Sequence, residues 1–254
     1  MDENKDMIYS NSDDAYRKAL ELRKEGKIND AIDLFETVSK EAKSWIINDY
    51  ALCLIERNEN NDLEKAEALL YGLCKSDNSQ SIRLLGLIKT KMQEENQHCL
   101  GELLLRYSYS IGNDWAFYDL FHMMQKRNES SDKEYLFKIY NDGNTSIEIK
   151  IMIFEYLTVK KNNRFDLEKI ETIYNSSVDN PGLHTSLLKI LIKSKRAEYK
   201  DLILQDLDSS NPENLYEIAK MYRDGVIVAK SKSMYKKVCS KLPKDLQLEL
   251  EDEK

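Results

Sequence analysis

The sequence predicts an all-α fold, an α-solenoid of antiparallel helix pairs with about seven repeats, and three observations carry that prediction. All three prolines, Pro181, Pro212 and Pro243, stand 31 residues apart. Pro181 and Pro212 each follow an asparagine, and Asn-Pro reads as an N-cap whose side chain accepts an orphaned amide, followed by a first helical residue with no N–H to waste. Each proline therefore marks a helix start. A fixed period in the thirties is what stacked helical units produce when each buries its apolar face only against its neighbours. Eight glycines and three prolines are few for 254 residues rich in Leu, Ile, Lys and Glu, which suits long helices joined by short turns and leaves no strand signal.

The first helix pair reads from Ala15 to Gly26 and from Lys27 to Val38. Ala31, Phe35, Val38 and Ala42 fall at i, i+4, i+7 and i+11, one apolar stripe on the second helix. The order and spacing of Ala19, Leu22, Gly26, Ala31 and Phe35 resemble a tetratricopeptide repeat, although Ala15 replaces the usual aromatic and no proline follows the second helix. A second pair runs from Ser44 to Lys75, with Ala51 and Leu54 in one helix and Ala66, Leu70 and Leu73 in the other. Its turn, Arg57 to Asp62, is three residues longer, and such insertions map to loops on one face of a solenoid.

The last pair begins at Pro212. Leu215, Ile218, Ala219, Tyr222, Gly225 and Ser233 resemble a Sel1-like repeat, a relative of the first family with a longer loop between its helices. Ile227 stands where a second loop glycine is usual. Between Gln80 and Asn211 the rhythm persists without the signature: Gly86 takes a small-residue position, and turns fall at Ile111–Asp114, Asn128–Asp132, Asn141–Asn144, Lys161–Asn163 and Asp179–Pro181. The segments between them predict helices over Trp115–Lys126, Lys133–Tyr140, Ile147–Lys160, Leu167–Tyr174, Leu183–Lys195 and Tyr199–Leu207. The resemblance implies a right-handed superhelix. With no linker rich in Gly, Ser or Pro, the expected organisation is a poorly ordered segment at 1–11, one repeat domain at 12–242, and a short capping helix and tail at 243–254.

Composition narrows the function. At 41% hydrophobic and 33% charged, the chain can bury a substantial core beneath a solvated surface. No stretch approaches the roughly 20 apolar residues that span a bilayer, and the acidic N-terminus lacks the apolar core of a signal peptide. A cytoplasmic location is expected. Cys53, Cys74, Cys99 and Cys239 lack CxxC spacing and sit in apolar helical patterns, so buried, reduced thiols are expected. Residues 1–80 carry 11 basic against 18 acidic side chains, and residues 181–254 carry 14 against 12. The basic excess gathers in Lys230, Lys232, Lys236, Lys237, Lys241 and Lys244. Its simplest reading is a solvated helix face; nucleic-acid binding is disfavoured by the overall acidity, net charge −7.

Chemistry is hard to find. His98, His122 and His184 are not spaced as metal ligands, and no GxSxG, GxxxxGKS or GxGxxG occurs. The expectation is no catalytic residue, no metal and no cofactor. In the two families the first helix of each pair lines a concave groove. The resemblance thus implies a partner site at Tyr16, Leu20, Arg23 and Lys24 in the first pair, Trp45, Asn48, Leu52, Ile55 and Glu56 in the second, and Tyr216, Lys220 and Arg223 in the last. Tyr16 and Leu20 occupy two positions where the family's clamp for a terminal carboxylate uses Lys and Asn, which argues against that clamp. An amphipathic helix or extended apolar segment fits better, although Trp45, Leu52 and Ile55 could equally pack on a neighbouring repeat. Trp115, Phe117, Tyr118 and Phe121 share one helix, either buried or presenting an aromatic edge to a partner or a second copy. The implied function is a non-catalytic scaffold for a protein or peptide segment, with a homodimer also open. The alternative is a regulatory or accessory subunit of a bacterial enzyme system such as envelope glycan assembly or secretion.

Overall fold

The computed structural model describes residues 3–39, 43–59, 61–74, 78–92, 94–160 and 165–252, and side chains from Asp13 onward. The segment expected at 1–11 falls outside the described side chains. Ala42 and the turn at Lys161–Asn163 lie outside the described residues altogether. All regular structure among the described residues is helical, in fifteen α-helices and a few short π or 3-10 turns. The chain divides into two compact units, Met1–Asn128 and Glu129–Lys254.

The first unit holds α1 (Glu3–Lys24), α2 (Ile28–Val38), α3 (Ser44–Arg57), α4 (Asp62–Cys74), α5 (Ser79–Lys91), α6 (Glu95–Ser110) and α7 (Asp114–Arg127). Consecutive helices pack as α1 with α2, α3 with α4, and α5 with α6, while α3 and α7 also touch α5. The small residues sit where the sequence requires them. Ala19, Ala51, Ala31 and Ala66 are wholly buried, and Phe35 and Leu70 fill the space beside them. Left-handed residues end three of the first helices, Gly26 just beyond α1 (φ 77°), Asn58 after α3 (φ 54°) and Asn128 after α7 (φ 57°).

The longer α3–α4 turn is organised by one buried carboxylate. Asp62 accepts hydrogen bonds from Arg57 Nε at 2.8 Å and Nη2 at 2.7 Å and from the Glu59 amide at 2.9 Å. The Arg57 guanidinium holds the Asp62 carboxyl below its usual range despite burial. In the third pair, α5 and α6 cross with backbones nearly touching: a Cβ on Gly101 would lie 2.8 Å from the Gly86 carbonyl oxygen.

The second unit holds α8 (Ser130–Asn141), α9 (Ile147–Glu155), a π turn (Tyr156–Lys160), α10 (Leu167–Ser177), α11 (Pro181–Lys193), α12 (Lys200–Leu204), α13 (Pro212–Asp224), α14 (Lys232–Cys239) and α15 (Lys244–Asp252). Pro181 and Pro212 begin α11 and α13, where Asn180 caps the Leu183 amide and Asn211 the Glu213 amide. Pro243 immediately precedes α15. The helix expected over Ile147–Lys160 widens into π geometry at Tyr156. The one expected over Tyr199–Leu207 is α-helical only at Lys200–Leu204 and flanked by 3-10 turns.

A common polar device links successive first helices within both units. In the first, Ser81 Oγ donates to Asn48 Oδ1 at 2.7 Å, and Asn78, the N-cap of α5, meets the same asparagine at 3.5 Å. In the second, Thr185 Oγ1 donates to Asn214 Oδ1 at 2.6 Å and accepts from Asn211, the N-cap of α13, at 3.1 Å. N-cap asparagines thus do double duty, capping their own helix and tying it to the preceding first helix.

Candidate functional site

The residues singled out in the first two pairs come together, chiefly by bonding to one another. Tyr16 hydroxyl donates to Asp49 Oδ2 at 2.7 Å, and its ring meets Trp45 edge-on with centroids 4.5 Å apart. Burial, then the Asp49 carboxylate, raises the Tyr16 pKa well above the usual phenol value. Arg23 forms a two-pronged pair with Glu56, 2.9 Å from Nε and 2.5 Å from Nη2. Asn48 is buried on Ser81. Ile55 is only 3% exposed and belongs to the core, while Leu20 and Leu52 pack partly buried against it. What remains open is the indole of Trp45, 40% exposed, with the Lys43 ammonium 5.8 Å from its ring centre, and exposed Lys24.

Farther along the same unit, α7 is split. Phe117 and Phe121 are buried and nearly stacked at 5.9 Å, whereas Trp115 is 66% exposed with Tyr118 at 5.6 Å beside it. The helix therefore presents an aromatic edge. Arg83 of α5 braces it through Asp119 at 2.6 Å. Trp45 and Trp115 are each the second residue of a first helix, α3 and α7.

In the second unit, α15 packs against α13. Tyr216 and Lys220 border a cleft of about 340 Å³ with Lys189, Glu217, Leu246 and Glu249. Tyr216 is largely buried, and the Lys220 ammonium lies 5.3 Å from its ring centre. Arg223 turns toward α15, donating to the Leu250 carbonyl at 3.3 Å, and pairs with Asp224. Arg223 is thus tied to α15, while Tyr216 and Lys220 line the cleft that α15 residues also border.

No sequence pattern announces the polar cluster around His184. Ser177 Oγ lies 2.8 Å from His184 Nδ1, and His184 Nε2 lies 3.1 Å from Asp206 Oδ2. Tyr174 hydroxyl also donates to Asp206, and Asn214 Nδ2 does so at 3.2 Å. A serine, a histidine and an aspartate in hydrogen-bond contact invite comparison with a nucleophilic triad. Ser177, however, has no exposed surface, and its hydroxyl is also 2.7 Å from the Tyr174 carbonyl it donates to. No substrate carbonyl can reach it. The cluster instead fastens α10, α11 and α13 to the 3-10 turn that carries Asp206. A cleft of about 480 Å³ runs beside it.

Helix α6, not singled out in the sequence, carries Leu100, Leu103 and Tyr107 exposed on its outer face. Apolar residues all round that helix were the available signal, since only one side can face α5. Cys99 lies there too and is exposed, which corrects the expectation of uniformly buried thiols; Cys53 is buried, and Cys74 and Cys239 are partly so. Among the described residues no group of three or more His, Cys, Asp or Glu side chains could hold a metal ion, and no helix is long and apolar enough to cross a membrane. Neither a protein-family model nor a curated protein matches this sequence.

Proposed function

We propose that the chain is a non-catalytic protein-interaction scaffold whose helix pairs, within each unit, stack as tetratricopeptide- and Sel1-like repeats of a right-handed solenoid. In this reading the first unit holds an apolar segment of a partner protein along its first helices. One observation carries it: side chains on that face, Tyr16 with Asp49, Arg23 with Glu56 and Arg83 with Asp119, are consumed in mutual contacts, while the indole of Trp45 stays open. Such an arrangement is pre-organised. Large aromatics held in place lose little entropy on binding and are the usual anchors of an interface.

The test is a peptide-display selection against the immobilised chain, followed by affinity measurement on the enriched peptides. Enriched sequences should carry apolar or aromatic residues, and Trp45→Ala should weaken them roughly tenfold or more, in line with loss of an aromatic anchor. Selection without enrichment, or binders indifferent to Trp45, would sink this reading.

A further inference from the structure

We propose that the partner segment held by the first helices of the first unit is an acidic amphipathic helix, laid across α1, α3, α5 and α7 with its carboxylates toward Lys24, Lys91 and Lys126. This rests on the scaffold reading above and names the ligand of that same face.

Alignment is the first argument. Helices α3, α5 and α7 begin at Ser44, Ser79 and Asp114, 35 residues apart each time. The wholly buried Ala19 and Ala51 bring α1 into the same frame, 32 residues earlier than α3. Hydrogen bonds agree with that frame: Tyr16 to Asp49, Arg23 to Glu56 and Arg83 to Asp119 each join one position to the next position of the following helix. Within it, Trp45 and Trp115 share a position at the start of their helices, Leu20, Leu52 and Leu87 share one at mid-helix, and Lys24, Lys91 and Lys126 share one in the last turn. Glu56 takes the last position on α3. Steps of seven and four residues, as from Trp45 to Leu52 to Glu56, put the three positions on one stripe of each helix. The face therefore has exposed indoles along one edge, half-buried leucines as its floor, and lysines along the other edge.

Charge is the second. The last turns of α1, α5 and α7 each hold two bases. One of each two is spent: Arg23 donates to Glu56 at 2.9 Å, Lys89 to Glu67 at 2.6 Å and Arg127 to Glu102 at 2.8 Å. A cation to complement the helix dipole is thus already in place. The other three, Lys24, Lys91 and Lys126, are exposed, and among the described residues none of them forms an ion pair. Carboxylates on the same face are occupied, Asp49 by Tyr16, Glu56 by Arg23 and Asp119 by Arg83, while exposed Asp13 and Arg17 of α1 offset one another. The first unit carries 17 basic against 23 acidic side chains, yet the unspent charge of this face is positive. Such an edge favours an acidic segment and rejects a basic one.

Dimensions decide for a helix. Packed helices lie about 8–10 Å apart, which sets the step between Lys91 and Lys126 on adjacent first helices. An α-helix rises about 10 Å in seven residues, so one acid per heptad meets each first helix in turn. An extended strand covers about 10 Å in three residues and turns every third side chain to the opposite face, away from the lysines. From the indole position to the lysine position is about 16 Å along each first helix, room for a helix about 10–12 Å across.

The test is display of random peptides of about 20 residues, enough for the span, against the immobilised full chain. Enriched sequences should carry leucine or aromatic residues at helical spacing with an excess of Asp and Glu, and should turn helical on binding by circular dichroism. Lys24→Glu, Lys91→Glu and Lys126→Glu combined should weaken them roughly tenfold or more at low salt and less at high salt, with the variant's own circular dichroism unchanged. Lys232→Glu, Lys236→Glu and Lys237→Glu combined, an equal change of net charge on α14, should leave affinity unchanged. Binders that depend on Trp45 but lack acidic excess, ignore the three lysines or bind extended overturn this ligand and leave the scaffold reading standing. No enrichment, or indifference to Trp45, overturns both. A single strand of about 20 nucleotides that binds through the same lysines more tightly than any enriched peptide would make the face a nucleic-acid site and overturns the proposal equally.

Discussion

Glycine plays two opposed parts in this chain, and substitution separates them. Gly101 lies in the α5–α6 crossing, where a methyl would stand 2.6 Å from Thr90 Cγ2 and 2.8 Å from both the Thr90 amide nitrogen and the Gly86 carbonyl oxygen. Two of those atoms are backbone, so relief requires the helices to separate. Gly101→Ala should cost about 1–3 kcal/mol, the usual range for overpacking. Gly72, within α4, meets nothing within 4 Å of the same methyl, and Gly72→Ala should stabilise by about 0.5–1 kcal/mol through the lower unfolded-state entropy of alanine. Urea unfolding of the two variants checks both signs. Gly86 was legible as a small-residue position from the spacing of the expected helix pairs. Gly101 was not, because its partner lies on another helix and only the crossing geometry makes its size matter.

Among the elements, the α13–α14 connection combines a fitting residue with an unfitting one. Gly225 takes φ 73° at no steric cost, ending α13 with its amide bonded to the Met221 carbonyl at 3.0 Å. Two residues on, Ile227 takes φ 66°, a left-handed conformation that a β-branched residue adopts only against steric resistance. Ile227→Gly should therefore stabilise the second unit by about 1 kcal/mol, measured as a raised urea midpoint; an unchanged or lowered midpoint would mean that the half-buried isoleucine side chain contributes more than its backbone costs. The departure at Ile227 could be read in the sequence, but not its backbone. Other elements divide likewise. N-caps at Asn180 and Asn211 were legible because capping is local. The π turn at Tyr156 and the 3-10 turns around α12 were not, since such distortions answer to packing beyond the helix itself. Nor was the pairing of Arg23 with Glu56 or Tyr16 with Asp49: each joins residues 33 apart, and one period fixes their proximity but not which side chains meet.

At the scale of the whole molecule, burial of weak acids governs the response to alkali. Burial raises the pKa of the Tyr16, Tyr50, Tyr140, Tyr174 and Tyr199 phenols, and it pushes the Cys53 thiol up to about 12. In each case the folded chain holds the proton more tightly than the unfolded chain. Their contribution is therefore complete below the unfolded values, about 8.5 for the thiol and about 10 for the phenols, and drains away as pH rises past them toward the folded values. Urea midpoints should begin to fall between about pH 8.5 and 10 and drop steeply above that, with Cys53→Ala removing the earliest part; a flat profile to pH 11 would contradict this. By itself the sequence determined that the chain is helical, where most helices begin and end, and which small residues let paired helices touch, because periodicity, capping and turn chemistry act over a few neighbouring residues. Tertiary structure alone decided that much of the implied groove is spent on mutual contacts, that His184 joins a buried polar cluster, and that α6 turns a second apolar face outward. The physical reason is common to all three: a side chain's availability depends on what stands opposite it, and that neighbour usually lies on another helix.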